Sequence, residues 1–363
     1  MGRIADETYA TQAVPVDAAG EGSMSEKPVA ETLLRRLGRY IVLQQLGEGA
    51  MGSVYLAEDT HLGRKVALKI PKFSDADRED ILSRFYREAR AAAMLHSRHI
   101  CPVFDVGELE GRHFISMAYI EGRTLQELAK SKKPRSDKST AILIRKIALA
   151  LADAHEQGII HRDLKPANIM IDISGEPVVM DFGLARRINF REVQVTQFGD
   201  LLGTPGYMSP EQIDGDSDKL GPATDIYSLG IILYEMITGQ HAFQGGLLSV
   251  LKKVATEDPQ KPSEVRADVH PQLEAICLKM IAKRPEDRYA SMQEVARDLG
   301  AFAKSLSVAD LPSTSASGLM DVVPTAAAQP EAKIPASQTR NDTAQSGGPA
   351  APRWLLVGLA AAA

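Results

Sequence analysis

Cysteine is scarce in this chain of 363 residues, and the two present, Cys101 and Cys277, cannot build a disulfide framework. A reducing compartment is therefore expected. Positive charge is not in excess either, since the formal net charge is −5, and this argues against a general nucleic-acid binder. The opening residues carry acidic side chains and no apolar core, so they do not form a secretory signal.

Long apolar runs are also lacking. The run at the end, residues 354–363, is about half as long as the roughly 20 residues that a membrane-spanning helix needs. Arg353 precedes it and Trp354 begins it, and a cation, an interfacial tryptophan and an apolar run are typical of a cytoplasm-to-membrane junction. We therefore expect residues 353–363 to be the apolar start of a truncated transmembrane helix. A dangling hydrophobic tail is the alternative.

Two flanking segments lack the periodicity of folded structure. Residues 1–37 mix alanine, glycine, serine and acidic residues, which predicts a disordered leader. Residues 306–352 are rich in proline, alanine, serine, threonine and glutamine, which predicts a disordered linker that cannot bury enough surface to fold. Residues 38–305 remain for the folded domain, a length that suits one two-lobed unit.

The most specific feature of that domain is the octet H-R-D-L-K-P-A-N at residues 161–168, followed by D-F-G at 181–183. Two carboxylates and an amide at this spacing can accept a hydroxyl proton and hold two magnesium ions beside a triphosphate. A polar surface loop without a task is the alternative interpretation.

The octet resembles the catalytic loop of protein kinases, and its Lys-Pro form resembles Ser/Thr kinases rather than tyrosine kinases. The order of this domain, the linker and the apolar end resembles that of the bacterial eukaryotic-like Ser/Thr kinases of the Hanks type. The resemblance implies that Asp163 accepts the proton of the substrate hydroxyl and that Lys165 steadies the γ-phosphate. It implies that Asn168 and Asp181 bind Mg²⁺, with Mn²⁺ as the alternative metal.

A glycine pattern lies upstream, where the resemblance requires it. Gly47, Gly49 and Gly52 form G-x-G-x-x-G between two short apolar stretches, 40–43 and 54–57, and this pattern predicts a β-hairpin with a glycine tip. A Rossmann turn is the alternative. That turn needs a helix after the third glycine, and the β-branched and aromatic residues from 54 onward favour a strand.

A lysine and a glutamate complete the expected phosphate-binding set. Lys69 lies near the end of a compact apolar run, 66–70, which predicts a buried strand. An ammonium group inside such a strand is costly unless it meets anions. By the resemblance these anions are the α- and β-phosphates and Glu88, which lies in the predicted helix 84–95. Surface pairing of Glu88 with neighbouring arginines is the alternative.

The resemblance also implies an adenine site. Residues 113–117 predict a strand that ends at a hinge, 118–122. Met117 is expected to be the gatekeeper, and backbone groups of Ala118 and Ile120 to bond the adenine edge. The residues expected to enclose the purine are Leu46, Val54, Ala67 and Met170.

The fold class implied is α+β, a two-lobed protein-kinase fold. A β-rich N-lobe with one regulatory helix would span about 38–117, and a larger, mainly helical C-lobe about 123–305. Within the C-lobe, residues 141–155 predict a long helix, apolar on several faces, beneath the catalytic loop.

Four further residues have supporting roles by the same resemblance. Glu211, in a Ser-Pro-Glu variant of the family's Ala-Pro-Glu motif, is expected to pair with Arg288. Asp225 is expected to support the backbone of the catalytic loop, and Thr204 to bond the aspartate and lysine of that loop.

Regulation is expected at Thr196, the only serine or threonine between residues 183 and 203. A phosphate there would add about −1.5 to −2 charges. Arg162 would bind it, helped by Arg186, Arg187 or Arg191.

The sequence therefore predicts an ATP- and Mg-dependent Ser/Thr protein kinase that acts on protein substrates in bacterial signalling. The kinase is expected to autophosphorylate its activation loop, with a homodimer for trans-autophosphorylation. No nucleic-acid partner is expected. The catalytic domain is expected in the cytoplasm, and the full-length protein as single-pass and membrane-anchored. The alternative is a pseudokinase-like scaffold or a partner-activated kinase domain. The lysine, the catalytic aspartate and the metal aspartate are all present, which disfavours a scaffold.

Overall fold

A computed structural model describes residues 35–49, 52–72, 78–129, 136–182, 205–215 and 219–309. The strands in these residues are β1 (Arg36–Leu37), β2 (Tyr40–Gly49), β3 (Gly52–Asp59), β4 (Arg64–Pro71), β5 (Val103–Leu109), β6 (Arg112–Ala118), β7 (Gly122–Thr124), β8 (Ile169–Asp172) and β9 (Pro177–Val179). The helices are α1 (Arg78–Ala93), α2 (Leu125–Ala129), α3 (Asp137–Glu156), α4 (Pro210–Ile213), α5 (Pro222–Thr238), α6 (Leu247–Thr256), α7 (Pro262–Val265), α8 (Pro271–Met280) and α9 (Met292–Ala309).

An antiparallel sheet in the order β1-β2-β3-β4-β6-β5 forms the smaller lobe. Strand β4 is buried over most of its length, as expected of an apolar run in the middle of a sheet. It pairs Ala67 with Met117 of β6, which brings a residue expected to enclose the purine beside the expected gatekeeper. The sheet thus places the lysine strand and the hinge strand next to each other.

Helix α1 packs on this sheet through residues spaced for one helical face. Phe85, Ala89 and Ala92 are buried, and the spacing of four and three residues puts them on one side of the helix. Phe85 and Ala89 join Ile115 and Met117 of β6 in one apolar cluster. The helix begins at Arg78, six residues before the predicted segment, because its polar first turn carries no apolar periodicity for a sequence pattern to detect.

The larger lobe is built around α3 and α5. Both helices are apolar on several faces, and this pattern is typical of helices enclosed by other elements. Gly230 of α5 lies against α8: a Cβ there would come within 2.6 Å of Ile281 Cγ2 and 2.7 Å of Met280 Cβ. The long helix predicted over 141–155 is α3, which extends further at its N-terminus, where the Ser139 N–H donates to Ser136 Oγ at 3.2 Å.

The predicted domain limits differ slightly from the structure. Arg36–Leu37 pairs with β2, and Leu37 is fully buried, so the ordered domain begins inside the segment predicted as leader. At the other end α9 continues to Ala309. Residues 310–363, which include the predicted linker and the apolar end, lie outside the described residues. Among the helices that the structure describes, none is long and apolar enough to cross a membrane.

Candidate active site

The residues of the predicted catalytic loop lie between α3 and β8 and contact one another. Lys165 Nζ lies 2.8 Å from Asp163 Oδ2, and Asn168 Nδ2 donates to the same oxygen at 3.1 Å. Asn168 Nδ2 also donates to the Asp163 carbonyl oxygen at 2.8 Å. A short 3-10 turn, Pro166–Asn168, closes this loop and directs the amide back to the carboxylate. One carboxylate is therefore held by a cation and an amide.

His161 joins this loop to the segment that precedes Asp181. Its Nε2 lies 2.9 Å from the Met180 carbonyl oxygen, and a carbonyl only accepts, so Nε2 carries the proton. The other ring nitrogen, Nδ1, then accepts from the Asp163 N–H at 3.3 Å. The ring also packs against Phe182, with the centroids 4.9 Å apart.

Asp225, at the start of α5, holds the backbone of the catalytic loop. Its carboxylate accepts the His161 N–H at 2.8 Å and the Arg162 N–H at 2.9 Å, and His155 Nε2 lies 2.8 Å away. Arg162 has a φ of +64°, which is rare for a residue with a side chain and costs on the order of 1–3 kcal/mol. The carboxylate of Asp225 offsets part of that cost by fixing the Arg162 N–H.

Asp181 pairs with the lysine of β4. Lys69 Nζ lies 2.9 Å from Asp181 Oδ1, and Lys69 is 8 % exposed. Burial acts to raise the pKa of Asp181, but the charge of Lys69 and its hydrogen bond act in the opposite direction, and the net pKa lies below the ordinary value. The Asp181 carboxylate is therefore ionised at neutral pH.

Glu88 is half buried on α1, on the lobe that carries Lys69. In the part of the chain that the structure describes, the carboxylate that Lys69 contacts is that of Asp181. The Lys69–Glu88 ion pair stays a prediction.

The glycine pattern forms the predicted hairpin. Strands β2 and β3 pair up to Gly49 and Gly52, and β2 has irregular register near Leu46. Lys72, which directly follows β4, forms an ion pair with Glu48 at this tip, and both side chains are exposed. The Rossmann alternative is excluded, because a strand follows the third glycine.

Gly52 has a steric requirement that Gly49 lacks. Its φ is +128°, and a Cβ at this position would lie 2.2 Å from the Ile70 carbonyl oxygen and 2.7 Å from Pro71 Cα. A side chain would collide with backbone, which cannot move aside cheaply. The third glycine is therefore required by packing against β4.

We expect Gly52→Ala to lower the free energy of unfolding by about 1–3 kcal/mol, because overpacking and an unfavourable φ act together. Urea unfolding of the nucleotide-free protein measures this effect. Gly49→Ala is the matched control, since a Cβ at Gly49 meets nothing within 4 Å and its φ is not in the glycine region. Equal stability of the two variants would contradict the prediction.

Most of the predicted adenine-contacting side chains share one apolar cluster. Ala67 and Met117 are buried in it, and Val54, Ala118, Ile120 and Met170 pack against it partly buried. Leu46 is 42 % exposed. The Ala118 N–H already donates to the Pro102 carbonyl oxygen at 2.9 Å, so its carbonyl oxygen is the backbone group with acceptor chemistry for a base edge.

Glu211 and Arg288 form a bidentate ion pair. Arg288 Nη1 lies 2.8 Å from Glu211 Oε1, and Nη2 lies 2.9 Å from Oε2. Thr224 Oγ1 donates to the same carboxylate at 3.0 Å, and both charged side chains are almost fully buried. This pair ties α4 to the segment before α9.

Three expectations fall on residues 183–204, which lie outside the described residues. These are the phosphorylation of Thr196, the contacts of Thr204 and the help that Arg186, Arg187 or Arg191 would give to Arg162. Sequence reasoning also missed two residues that the structure brings to the loop, His155 and Gln212. Gln212 Nε2 donates to the Arg162 carbonyl oxygen at 2.6 Å. A neutral amide 50 residues from its partner leaves no signal in a single sequence.

The donor set fits a magnesium ion. Asp181 offers a carboxylate, and Asn168, whose amide N–H bonds are directed to Asp163, offers its Oδ1. Mg²⁺ prefers oxygen ligands and takes only one or two from side chains beside substrate phosphates. The pair is therefore suited to a divalent cation held jointly with a nucleotide.

The folded domain is similar to known proteins. Residues 40–299 match the protein kinase domain family. The chain is 40% identical over 266 residues to the serine/threonine-protein kinase PknB of Mycolicibacterium smegmatis, covering 72% of this chain and 42% of that protein. It is 38% identical over 273 residues to the serine/threonine-protein kinase PknL of Mycobacterium tuberculosis, covering 74% of this chain and 67% of that protein. The chain thus spans about two fifths of the length of PknB.

Solved structures show the same architecture. The crystal structure of the PknI kinase domain of Mycobacterium tuberculosis superposes with a TM-score of 0.59 at 26% sequence identity. The match covers 73% of this chain and 96% of that one. The two-lobed α+β fold predicted from the sequence is confirmed.

Proposed function

Because this chain belongs to the protein kinase family, as its motifs predicted, we propose that it is a Ser/Thr protein kinase that transfers the γ-phosphoryl group of ATP to protein hydroxyls. One observation carries the proposal. Asp163 is held by Lys165 and Asn168 at 2.8 and 3.1 Å, while Asp181 is held ionised by Lys69. A base, a cation and two oxygen ligands at these distances are the parts that phosphoryl transfer needs.

The chemistry of these residues is mainly electrostatic. Asp163 orients the incoming hydroxyl and accepts its proton, and Lys165, bonded to the same carboxylate, meets the γ-phosphoryl oxygens. Asn168 and Asp181 would hold Mg²⁺, which supplies positive charge beside the phosphates when bound. Lys69 and the amides of the glycine hairpin add to that charge at fixed positions, where it requires little reorganisation.

Thr196 is the proposed site of activating phosphorylation. Supporting this, Arg162 Nε is buried and has no hydrogen-bond partner in the described part of the chain. A buried, unpaired guanidinium N–H is costly, and a phosphate would provide strong acceptors for it. The substrates are proposed to be proteins, and a second copy of the chain would be the partner in trans-autophosphorylation. Membrane attachment through residues 353–363 is part of the same proposal and is supported by the order of Arg353, Trp354 and the apolar run.

The test is incubation of the purified chain with Mg-ATP, followed by mapping of phosphosites by mass spectrometry and assay on a generic basic protein. Lys69→Met is expected to lose both self-phosphorylation and activity on the added protein. Lys65→Met is the matched control, because Lys65 lies on the same strand with an exposed side chain. Phosphate on Thr196 in the parent and in Lys65→Met, and none in Lys69→Met, would support an active kinase with activation-loop autophosphorylation. No transfer by the parent to itself or to the added protein would favour a scaffold or a partner-dependent enzyme.

A further inference from the structure

The side chain of Gln212 joins two segments that sequence places far apart. Gln212 lies on α4, and its Nε2 donates to the Arg162 carbonyl oxygen at 2.6 Å. Its Oε1 accepts the Ser209 N–H at 3.0 Å and the Ser209 hydroxyl at 3.3 Å. A backbone carbonyl only accepts and a backbone N–H only donates, so both ends of the amide have their orientation fixed.

This contact fixes the peptide unit that precedes the proposed base. The carbonyl of Arg162 and the N–H of Asp163 belong to one planar group. Gln212 holds the carbonyl side of that plane, and the His161 carbonyl oxygen accepts the Asp163 N–H at 2.9 Å on the other side. The orientation of this plane sets where the Asp163 side chain leaves the backbone.

The same residue, Arg162, has its own N–H held by Asp225 and a φ of +64°. Its two polar backbone groups are thus held by side chains from α4 and α5, in a backbone conformation that residues with a side chain rarely adopt. Asp225 is fully buried, whereas Gln212 is half buried on the short helix α4. The Gln212 contact therefore links the position of α4 to the catalytic loop.

We propose that Gln212 is a positioning residue for Asp163, and that it couples α4 to the catalytic loop. The role in catalysis rests on the proposed kinase function. Displacement of α4 would remove the donor from the Arg162 carbonyl and release the peptide plane. The orientation of the proposed base thus depends on the position of α4.

Gln212→Glu tests this role, because the loss of kcat that it causes is expected to be reversed in part at low pH. The carboxylate keeps an acceptor for the Ser209 N–H but turns a negative oxygen toward the Arg162 carbonyl. We expect kcat on an added protein substrate to fall about tenfold, with the KM for ATP within about twofold of the parent. A protonated carboxyl can donate, so the ratio of variant to parent kcat is expected to rise as the pH falls from about 7.5 to about 5.5. Gln212→Leu, which cannot donate at any pH, is expected to show a constant low ratio.

Ser209→Ala is the matched control. It removes the weaker hydroxyl contact to Oε1 but keeps the Ser209 N–H and the amide donor, so its kcat is expected to stay within about twofold of the parent. Urea unfolding of every variant checks that the fold persists. A kcat of Gln212→Glu near that of the parent, or a ratio that does not change with pH, would overturn the proposal.

Amide hydrogen exchange separates this proposal from the proposed function. The Asp163 amide is expected to exchange faster in Gln212→Leu than in the parent and in Ser209→Ala, whether or not any of the proteins transfers phosphate. Unchanged exchange would refute the positioning role. If the parent transfers no phosphate but the Asp163 amide still exchanges faster in Gln212→Leu, the result would support the positioning contact and refute only the kinase activity.

Discussion

Replacing Asp181 with asparagine is expected to reduce phosphoryl transfer by at least about 10²–10³-fold while leaving the fold intact. The change removes one negative charge from the pair with Lys69 and one anionic ligand from the proposed cation site. Asparagine has nearly the same shape, and it is among the residues that best tolerate the φ of +57° found at this position. Steady-state kinetics at saturating Mg-ATP, with urea unfolding in parallel, measure the two halves of the prediction.

Asp153→Asn is the control for this change. Asp153 is exposed on α3, so the same loss of one charge there is expected to leave kcat unaltered. Activity of Asp181→Asn within tenfold of the parent would show that this carboxylate is not a required part of the site. A large loss of stability would show instead that the Lys69–Asp181 pair acts mainly in folding.

Replacing Arg288 with methionine is expected to lower the free energy of unfolding by about 3–5 kcal/mol. The methionine fills similar space but leaves the Glu211 carboxylate buried without its cation, and an uncompensated buried charge is costly. Replacing both Glu211 and Arg288 with apolar residues avoids that cost. The double variant Glu211→Leu with Arg288→Met is therefore expected to recover much of the loss.

The stability difference between the parent and Arg288→Met is expected to depend on pH through the ionisation of Glu211. Burial acts to raise the pKa of Glu211, but the hydrogen bonds and charge of Arg288 outweigh it, and the pKa lies below its ordinary value. The stabilisation by this pair is therefore fully present above the pKa of the unfolded chain and is lost as the pH falls through the folded value. Without Arg288 the burial effect remains, so the carboxyl takes up a proton more readily. The difference in stability between the parent and Arg288→Met should therefore shrink as the solution is acidified, and a difference that grows would contradict the argument.

The sequence was most informative where function demands a fixed order of residues. The H-R-D-L-K-P-A-N and D-F-G runs predicted the family and its two-lobed fold, because phosphoryl transfer requires a base, a cation and metal ligands in a fixed order along the chain. The apolar run around Lys69 predicted β4, because a short, continuous apolar run is typical of a buried strand. These signals are local, and the sequence carries them within a few residues.

The remainder depended on contacts between distant parts of the chain. The Gln212 amide meets Arg162 from a short helix, and no charge or periodicity marks it. The contact between Lys69 and Asp181 was not anticipated either, since the motif framework assigns each to a different ligand. Both contacts arise from tertiary packing. They join residues that are far apart in the sequence, so the residues next to each partner do not predict them.

The complete burial of Asp225 implies how the site responds to ionic strength. Its bonds to the catalytic loop lie inside the protein, where mobile ions do not reach them, so added salt should leave the base in place. The pair between Glu48 and Lys72 is exposed, and salt screens it. Added salt is therefore expected to weaken the ion pair at the tip of the hairpin and to leave the bonds between Asp225 and the catalytic loop unchanged.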